Sequence, residues 1–192
     1  MNDLFEYILF TDGSCQTNPG PGGWAFVLTT PQKEVISEYG YEERSTNNRM
    51  EMKAALEGLR RTPKGAKVTL NSDSSYVLNG IDKWLANWRR KGFKRNNKLI
   101  PNDDLWRELD RELAVRTVKC VHVRGHQGNN LNEMCDMLAR RAVKEGRNKS
   151  ATGENMSDLA QKILSLTFAE EDDRAKLLSA MREAIAFLEG GQ

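Results

Sequence analysis

Apolar and polar positions alternate along the chain with two different periods. Tyr7-Ile8-Leu9-Phe10 is a short apolar run of the buried-strand kind. It is followed from Gly13 to Gly23 by four Gly and two Pro among Ser, Asn and Thr, which reads as a turn. Trp24 to Thr30 and Glu34 to Tyr41 are rich enough in β-branched and aromatic residues for two more strands, split by Pro31-Gln32. Three strands with short links predict an antiparallel meander. From Thr46 to Arg61 the period changes: Met52, Ala55, Leu56 and Leu59 fall at i, i+3, i+4 and i+7, an apolar helix face that ends before Pro63 and Gly65. Lys67 to Ser72 predicts a strand, Tyr76 to Trp88 a helix. Asn102 before Asp103 and Asp104 signals a helix start for a segment with Leu105, Leu109 and Leu113 on one face. Thr117 to Val123 reads as a fifth strand, and Leu131, Cys135, Leu138 and Ala142 mark a further helix.

That order, β-β-β-α-β-α-α-β-α, implies a three-layer α/β fold: a mixed five-stranded sheet, three antiparallel strands and then parallel ones, flanked by helices. A polar stretch from Glu145 to Asn155 breaks the pattern. Beyond it, Met156, Leu159, Ile163 and Leu166 form one helical stripe, and Thr167 with Glu170 has the form of a capping box. Leu177, Leu178, Met181, Ile185 and Leu188 continue a second helix to Gly190-Gly191. The chain therefore divides into a domain over 1–147, a linker over 148–155 and a helical hairpin extension over 156–192.

Composition narrows the class. With 39% apolar and 29% charged residues in 192, the chain has the makings of an ordinary globular core rather than a fibrous or disordered one. No apolar run exceeds five residues, far below the roughly 20 that span a bilayer. The acidic start, MNDLFEYI, has no secretory pattern, so the expected location is cytoplasmic, with no membrane partner. Three cysteines, Cys15, Cys120 and Cys135, lack metal-site spacing and read as reduced thiols. The net charge of +2 conceals two opposed parts: residues 1–149 carry 25 Lys plus Arg against 19 Asp plus Glu, whereas residues 150–192 carry 4 against 8.

Four acids stand at the edges of apolar elements. Asp12 and Asp73 follow the strands Tyr7 to Phe10 and Lys67 to Asn71, Glu51 borders the apolar face of its helix, and Asp136 adjoins Cys135. Ligand sites in such sheets lie at strand ends. Taken singly each is a solvated surface acid. Taken together they would repel unless neutralised, and carboxylates without thiolates select hard cations such as Mg²⁺ or Mn²⁺. Two such ions about 3.5 to 4 Å apart can activate a water and stabilise the leaving oxygen of a phosphodiester.

Six motifs then appear in order: Thr11-Asp12-Gly13-Ser14; Thr17-Asn18-Pro19-Gly20-Pro21-Gly22-Gly23-Trp24; Thr46-Asn47-Asn48-Arg49-Met50-Glu51-Met52; Ser72-Asp73-Ser74; Gly125-His126; and Asn132-Glu133 with Asp136. Over about residues 5–146 the sequence resembles type 1 ribonuclease H of the bacterial subclass that carries a basic protrusion. The resemblance implies the ribonuclease H-like fold and a metal-dependent endonuclease that hydrolyses the RNA strand of an RNA/DNA hybrid, leaving 5′-phosphate and 3′-hydroxyl ends. It implies Asp12, Glu51, Asp73 and Asp136 as ligands of two Mg²⁺ ions, with Mn²⁺ as a substitute, and His126 as a mobile histidine for proton transfer or product release. Asn18, Asn47 and Glu51 take the positions that sense the ribose 2′-hydroxyl. Cys15 falls in the same loop, and Ser75 stands where the family often has Gln. Arg44, Thr46 and Asn102 match its phosphate pocket. His122, inside a strand, reads as a packed residue.

Between Trp88 and Leu99 lie six cations, Arg89, Arg90, Lys91, Lys94, Arg95 and Lys98, and no acid. Trp84, Trp88 and Phe93 interleave with them, as in surfaces that hold a nucleic-acid backbone. The segment, about residues 81–101, resembles the family's protrusion that grips the DNA strand. The expected partner is an RNA/DNA hybrid and the expected species a monomer. Residues 156–189 are left open between packing on the domain, self-association or a protein partner, and a membrane surface, the last disfavoured by the acidic run Glu170 to Asp173. A resolvase- or transposase-like nuclease of the same fold and a hybrid-binding module with altered catalysis remain the alternative functions.

Overall fold

The computed structural model describes residues 6–123 and 130–147. Strands β1 (Glu6–Cys15), β2 (Gly20–Thr29) and β3 (Val35–Ser45) form the expected antiparallel meander. Helix α1 (Asn47–Arg60) carries the chain across to β4 (Lys67–Ser72), which lies parallel to β1. A helical stretch follows: α2 (Ser75–Asn79), a π-helical turn over Gly80–Trp84, and α3 (Leu85–Arg90). A two-stranded hairpin, β5 (Lys94–Arg95) and β6 (Lys98–Leu99), leads to α4 (Asp103–Ala114). Strand β7 (Thr117–His122) joins β4 in parallel, and α5 (Asn130–Arg147) closes the described chain. The order β3-β2-β1-β4-β7 is the mixed five-stranded sheet that the hydrophobic pattern implies.

One face of the sheet is covered by α1 and α4. Leu9, Phe26, Leu28 and Leu70 from the strands meet Met52, Leu56 and Leu59 from α1 and Trp106 and Leu109 from α4, all essentially inaccessible to solvent. Burying each large aliphatic side chain contributes about 1.5–3 kcal/mol. On the other face, Met134, Cys135, Leu138 and Ala139 of α5 pack on Phe10, Ala25 and Val27. Thr46 caps α1, its hydroxyl accepting from the Arg49 N–H.

The glycine-rich stretch differs from expectation. It is strand rather than turn: β1 runs on to Cys15, β2 begins at Gly20, and only Gln16 to Pro19 connect them. Two of the glycines, Gly13 and Gly23, are there for helix packing. A Cβ on Gly13 would lie 2.2 Å from the Glu51 backbone nitrogen, and one on Gly23 would lie 2.1 Å from the Ala139 carbonyl oxygen. Helices α1 and α5 therefore press against the first hairpin from opposite faces, where any side chain would hold them off. Gly80 serves the same end at the π-helical turn, with the Trp106 ring where its Cβ would be.

Two further features depart from the hydrophobic pattern. The basic segment folds as a hairpin around Asn96-Asn97, both at positive φ (51° and 60°), the conformation that a tight two-residue turn requires. His122 ends β7 exposed rather than packed. The linker at 148–155, the helical extension at 156–192 and its expected hairpin lie outside the described residues.

Candidate active site

Parallel pairing of β1 with β4 sets Phe10 opposite Asn71. Carrying that register two residues on puts Asp12 level with Asp73. Strand β4 stops at Ser72 while β1 continues to pair with β2, so Asp12 lies within its strand and Asp73 just past the end of its own. Glu51 comes in from α1, at the point where Gly13 lets the helix touch the strand. One carboxylate oxygen from each of Asp12, Glu51 and Asp73 lies within 4.8 Å of the others.

Burial makes this arrangement electrostatically costly. Asp12 is 7% exposed and Glu51 6%. Burial first, then the charges of Asp73 and Asp136, pushes the Asp12 carboxyl up to about 7, against the pull of the Gly13 N–H, which donates to its Oδ1 at 2.7 Å, and of Arg140. Burial and the charges of Asp12 and Asp73 likewise hold the Glu51 carboxyl well above the ordinary carboxylate range. Asn47 Nδ2 donates to Glu51 Oε1 at 3.5 Å, but Glu51 Oε2 is buried with no hydrogen-bond partner among the described residues. A buried acid oxygen in that state lacks the positive or donor group it needs.

The fourth acid, Asp136, projects from α5 into the same cavity. The cavity measures about 260 Å³ and is lined also by Gly13, Ser14, Asn47, Asn132, Glu133 and Arg140. Arg140 Nε pairs with Asp136 Oδ1 at 2.8 Å. Sequence reasoning missed Arg140, although its place one helical turn after Asp136 puts the two side chains on one face of α5. His126 lies outside the described residues.

The flanking residues group in two places. The Cys15 N–H donates to Asn47 Oδ1 at 3.2 Å, and the Asn47 N–H donates to Asn18 Oδ1 at 3.4 Å. The turn after β1 is thereby tied to the start of α1 beside the cavity. Ser75 stands exposed at the start of α2. Farther along, Arg44 is exposed near the end of β3, Thr46 caps α1, and Asn102 precedes α4 in a left-handed conformation (φ 60°, ψ 31°). Asn102 does not cap α4; its amide bonds to Tyr76 instead.

The basic hairpin is less aromatic at its surface than its sequence suggests. Phe93 is 5% exposed and belongs to the core, with the Arg107 guanidinium 4.5 Å above its ring. Trp84 and Trp88 are half-buried, packed 5.4 Å apart between centroids, and Trp88 also meets Trp106 at 5.3 Å. These aromatics form the footing of the hairpin. Arg89 faces Asp110, with its Nε 2.9 Å from both carboxylate oxygens, and Arg90 bonds the Asn87 side chain. Lys91, Lys94, Arg95 and Lys98 are exposed.

The RNase H family profile matches residues 5–144. Ribonuclease H of Caldicellulosiruptor saccharolyticus is 44% identical over 145 residues, covering 74% of this chain and 99% of that relative. Ribonuclease HI of Pseudomonas syringae pv. tomato is 45% identical over 150 residues, covering 77% and 97%. Among solved structures, LC9-RNase H1, described as a type 1 RNase H with the type 2 active-site motif, superposes with a TM-score of 0.66 at 27% identity over 76% of this chain and 75% of its own. LC11-RNase H1 in complex with an RNA/DNA hybrid shares the fold at a TM-score of 0.56 and 18% identity, over 73% and 99% of the two chains.

Proposed function

The chain belongs to the RNase H family as a type 1 ribonuclease H, and on that premise we propose that it cuts the RNA strand of RNA/DNA hybrids at the Asp12–Glu51–Asp73–Asp136 cavity, leaving 5′-phosphate and 3′-hydroxyl ends. The observation that carries the reading is the trio of carboxylates within 4.8 Å, two of them buried, one with an oxygen that nothing satisfies among the described residues. An all-oxygen donor set of that kind fits hard divalent cations. Asp12, Glu51, Asp73 and Asp136 would hold two Mg²⁺ ions, or Mn²⁺ in their place. Such ions supply Lewis acidity and lower the pKa of water at neutral pH.

The protein's own groups do the rest. Asn47 holds Glu51 from one side and the turn after β1 from the other, so a ribose that meets Asn18 and Asn47 is placed relative to the acids. That places the 2′-hydroxyl, the group that tells RNA from DNA, against side chains already bonded into position. Arg140 neutralises part of the acidic charge. His126 is assigned proton transfer from its place in the sequence. On the partner strand, Arg44, Thr46 and Asn102 meet one phosphate, and the exposed cations of the hairpin meet others. Contacts of this kind fix register without reading sequence.

Labelled RNA/DNA hybrid, double-stranded DNA and double-stranded RNA, each incubated with Mg²⁺, with EDTA, and with Asp12→Asn, test the reading. The expected result is Mg²⁺-dependent cutting confined to the RNA strand of the hybrid and absent in Asp12→Asn. Hybrid binding without cutting identifies a module with altered catalysis. Cutting of double-stranded DNA identifies a nuclease of the resolvase type.

A further inference from the structure

Asn102 sits where an asparagine normally caps a helix, but its side chain makes no cap bond to α4 and its backbone is left-handed. Departures of this kind persist where surrounding structure imposes them, and they concentrate at functional sites. Here both ends of the carboxamide are taken up by other residues. Nδ2 donates to Tyr76 Oη at 3.2 Å, and Arg49 donates to Oδ1 at 3.5 Å. Arg49 is itself held by Asp104, at 2.9 and 2.7 Å through its two terminal nitrogens. Tyr76 is held by Trp106 Nε1, which donates to the same Oη at 3.1 Å, and by ring contacts with Trp84 and Trp106.

Donor chemistry settles which way the amide points. A guanidinium has donors only, so the end of Asn102 that faces Arg49 must be the carbonyl. An indole N–H also only donates, so the Tyr76 oxygen receives Trp106 on one lone pair and can receive the Asn102 N–H on the other. Among the described residues the amide then has one N–H remaining, and a donor is what a phosphate oxygen takes. With the amide reversed, the carbonyl oxygen would face the phosphate and repel it.

We infer that Tyr76 and Arg49 are positioning residues that fix the polarity of the Asn102 amide, presenting its remaining N–H to a substrate phosphate. The same aromatic group that supports the basic hairpin thereby sets the adjoining phosphate contact, so the two contacts to the non-cleaved strand share one support. The inference rests on the proposal that Asn102 meets a phosphate.

Steady-state kinetics on a short RNA/DNA hybrid, measured for Tyr76→Phe, Asn102→Ala and the double variant, test it alongside the same hybrid carrying single methylphosphonate linkages along the DNA strand. Tyr76→Phe removes one oxygen and leaves the ring packing. The expected result is a rise in KM of about three- to tenfold with kcat unchanged, the range for losing one hydrogen bond. The double variant should be no worse than Asn102→Ala alone, and one methylphosphonate linkage should erase the difference between wild type and Tyr76→Phe. A merely structural role would lower thermal stability and act equally on every substrate. Unchanged KM in Tyr76→Phe beside a raised KM in Asn102→Ala overturns the positioning role alone. Unchanged KM in Asn102→Ala overturns the phosphate contact and this inference with it.

Discussion

The acidic cavity and the basic hairpin both concentrate charge of one sign, yet they handle it in opposite ways. In the cavity the charges are buried and nearly touching, Asp12 and Glu51 each less than a tenth exposed, so repulsion and desolvation fall on the fold itself. In the hairpin the cations stand in solvent on two-residue strands, while the aromatics between them supply the packing. Buried like charge needs a counter-ion to be tolerated, whereas exposed like charge is screened by salt over about 10 Å at 0.1 M. The cavity should therefore respond to protons and divalent cations, and the hairpin to ionic strength.

The largest effect that separates them is expected from Asp12→Asn. Losing an outer partner of a metal ligand already costs 10- to 100-fold in many metalloenzymes, so losing a carboxylate proposed to hold the metal should cost more than about 100-fold in kcat. The same change removes a buried charge from among others. It should raise the melting temperature of the metal-free protein by a few degrees, about 2–4 °C per kcal/mol at this size. Calorimetry in EDTA, paired with the hybrid assay, checks both; a fall in melting temperature would mean that repulsion in the cavity is not what burial implies.

Next in size is a pH effect. The Asp12 carboxyl titrates near 7 in the folded chain, against 3.8 as the ordinary value, so the folded state binds the proton more tightly than the unfolded one. Its contribution to stability is then fully present below about pH 4 and is lost as pH rises through about 7. Metal-free protein should lose stability over that window, Asp12→Asn should lose less, and added Mg²⁺ should stabilise more at pH 8 than at pH 5.5. Denaturation midpoints at the two pH values, with and without Mg²⁺, measure it.

The hairpin should show none of this. Replacing Lys91, Lys94 and Arg95 by Ala should leave the pH profile alone and flatten the log–log dependence of hybrid binding on salt by about 0.9 for each phosphate no longer neutralised, the B-DNA figure. The smallest effect is expected from Arg89→Ala. Because Asp110 already occupies Arg89, that substitution should change the salt slope less than Lys91→Ala does. Equal slopes for the two would place Arg89 on the nucleic acid rather than on Asp110.

Hydrophobic period alone yields the five-stranded sheet and the order of the elements that build it, though not the β5–β6 hairpin, because alternation and the 3.6-residue repeat record which side of each element is buried. It cannot bring Asp12, Glu51, Asp73 and Asp136 together. Each is an acid at an element edge, and their meeting depends on the β1–β4 register and on how closely α1 approaches β1. Their grouping comes from the motif resemblance. The same limit explains the misread glycines: Gly and Pro look alike as turn formers, and only the facing helices show that Gly13 and Gly23 are absent side chains in strands. Phe93 among cations looks like a stacking surface because the sequence does not say which side of a short hairpin faces inward. Arg140 carries a legible signal, its spacing from Asp136, which acquires meaning only once Asp136 is known to face a cavity.

Gly13 also bears on how this protein could be engineered. Exchanging glycine for alanine is a standard route to a stiffer unfolded chain and a higher melting point. At Gly13 the added methyl would drive α1 off β1 at the Glu51 backbone, separating Glu51 from Asp12. A screen for thermal stability alone would see an ordinary packing defect there, whereas a screen for turnover would see one carboxylate of the acidic cluster moved away from the others. Stabilised variants should therefore be sought on the solvent faces of α4 and β7, with the α1–β1 contact held fixed.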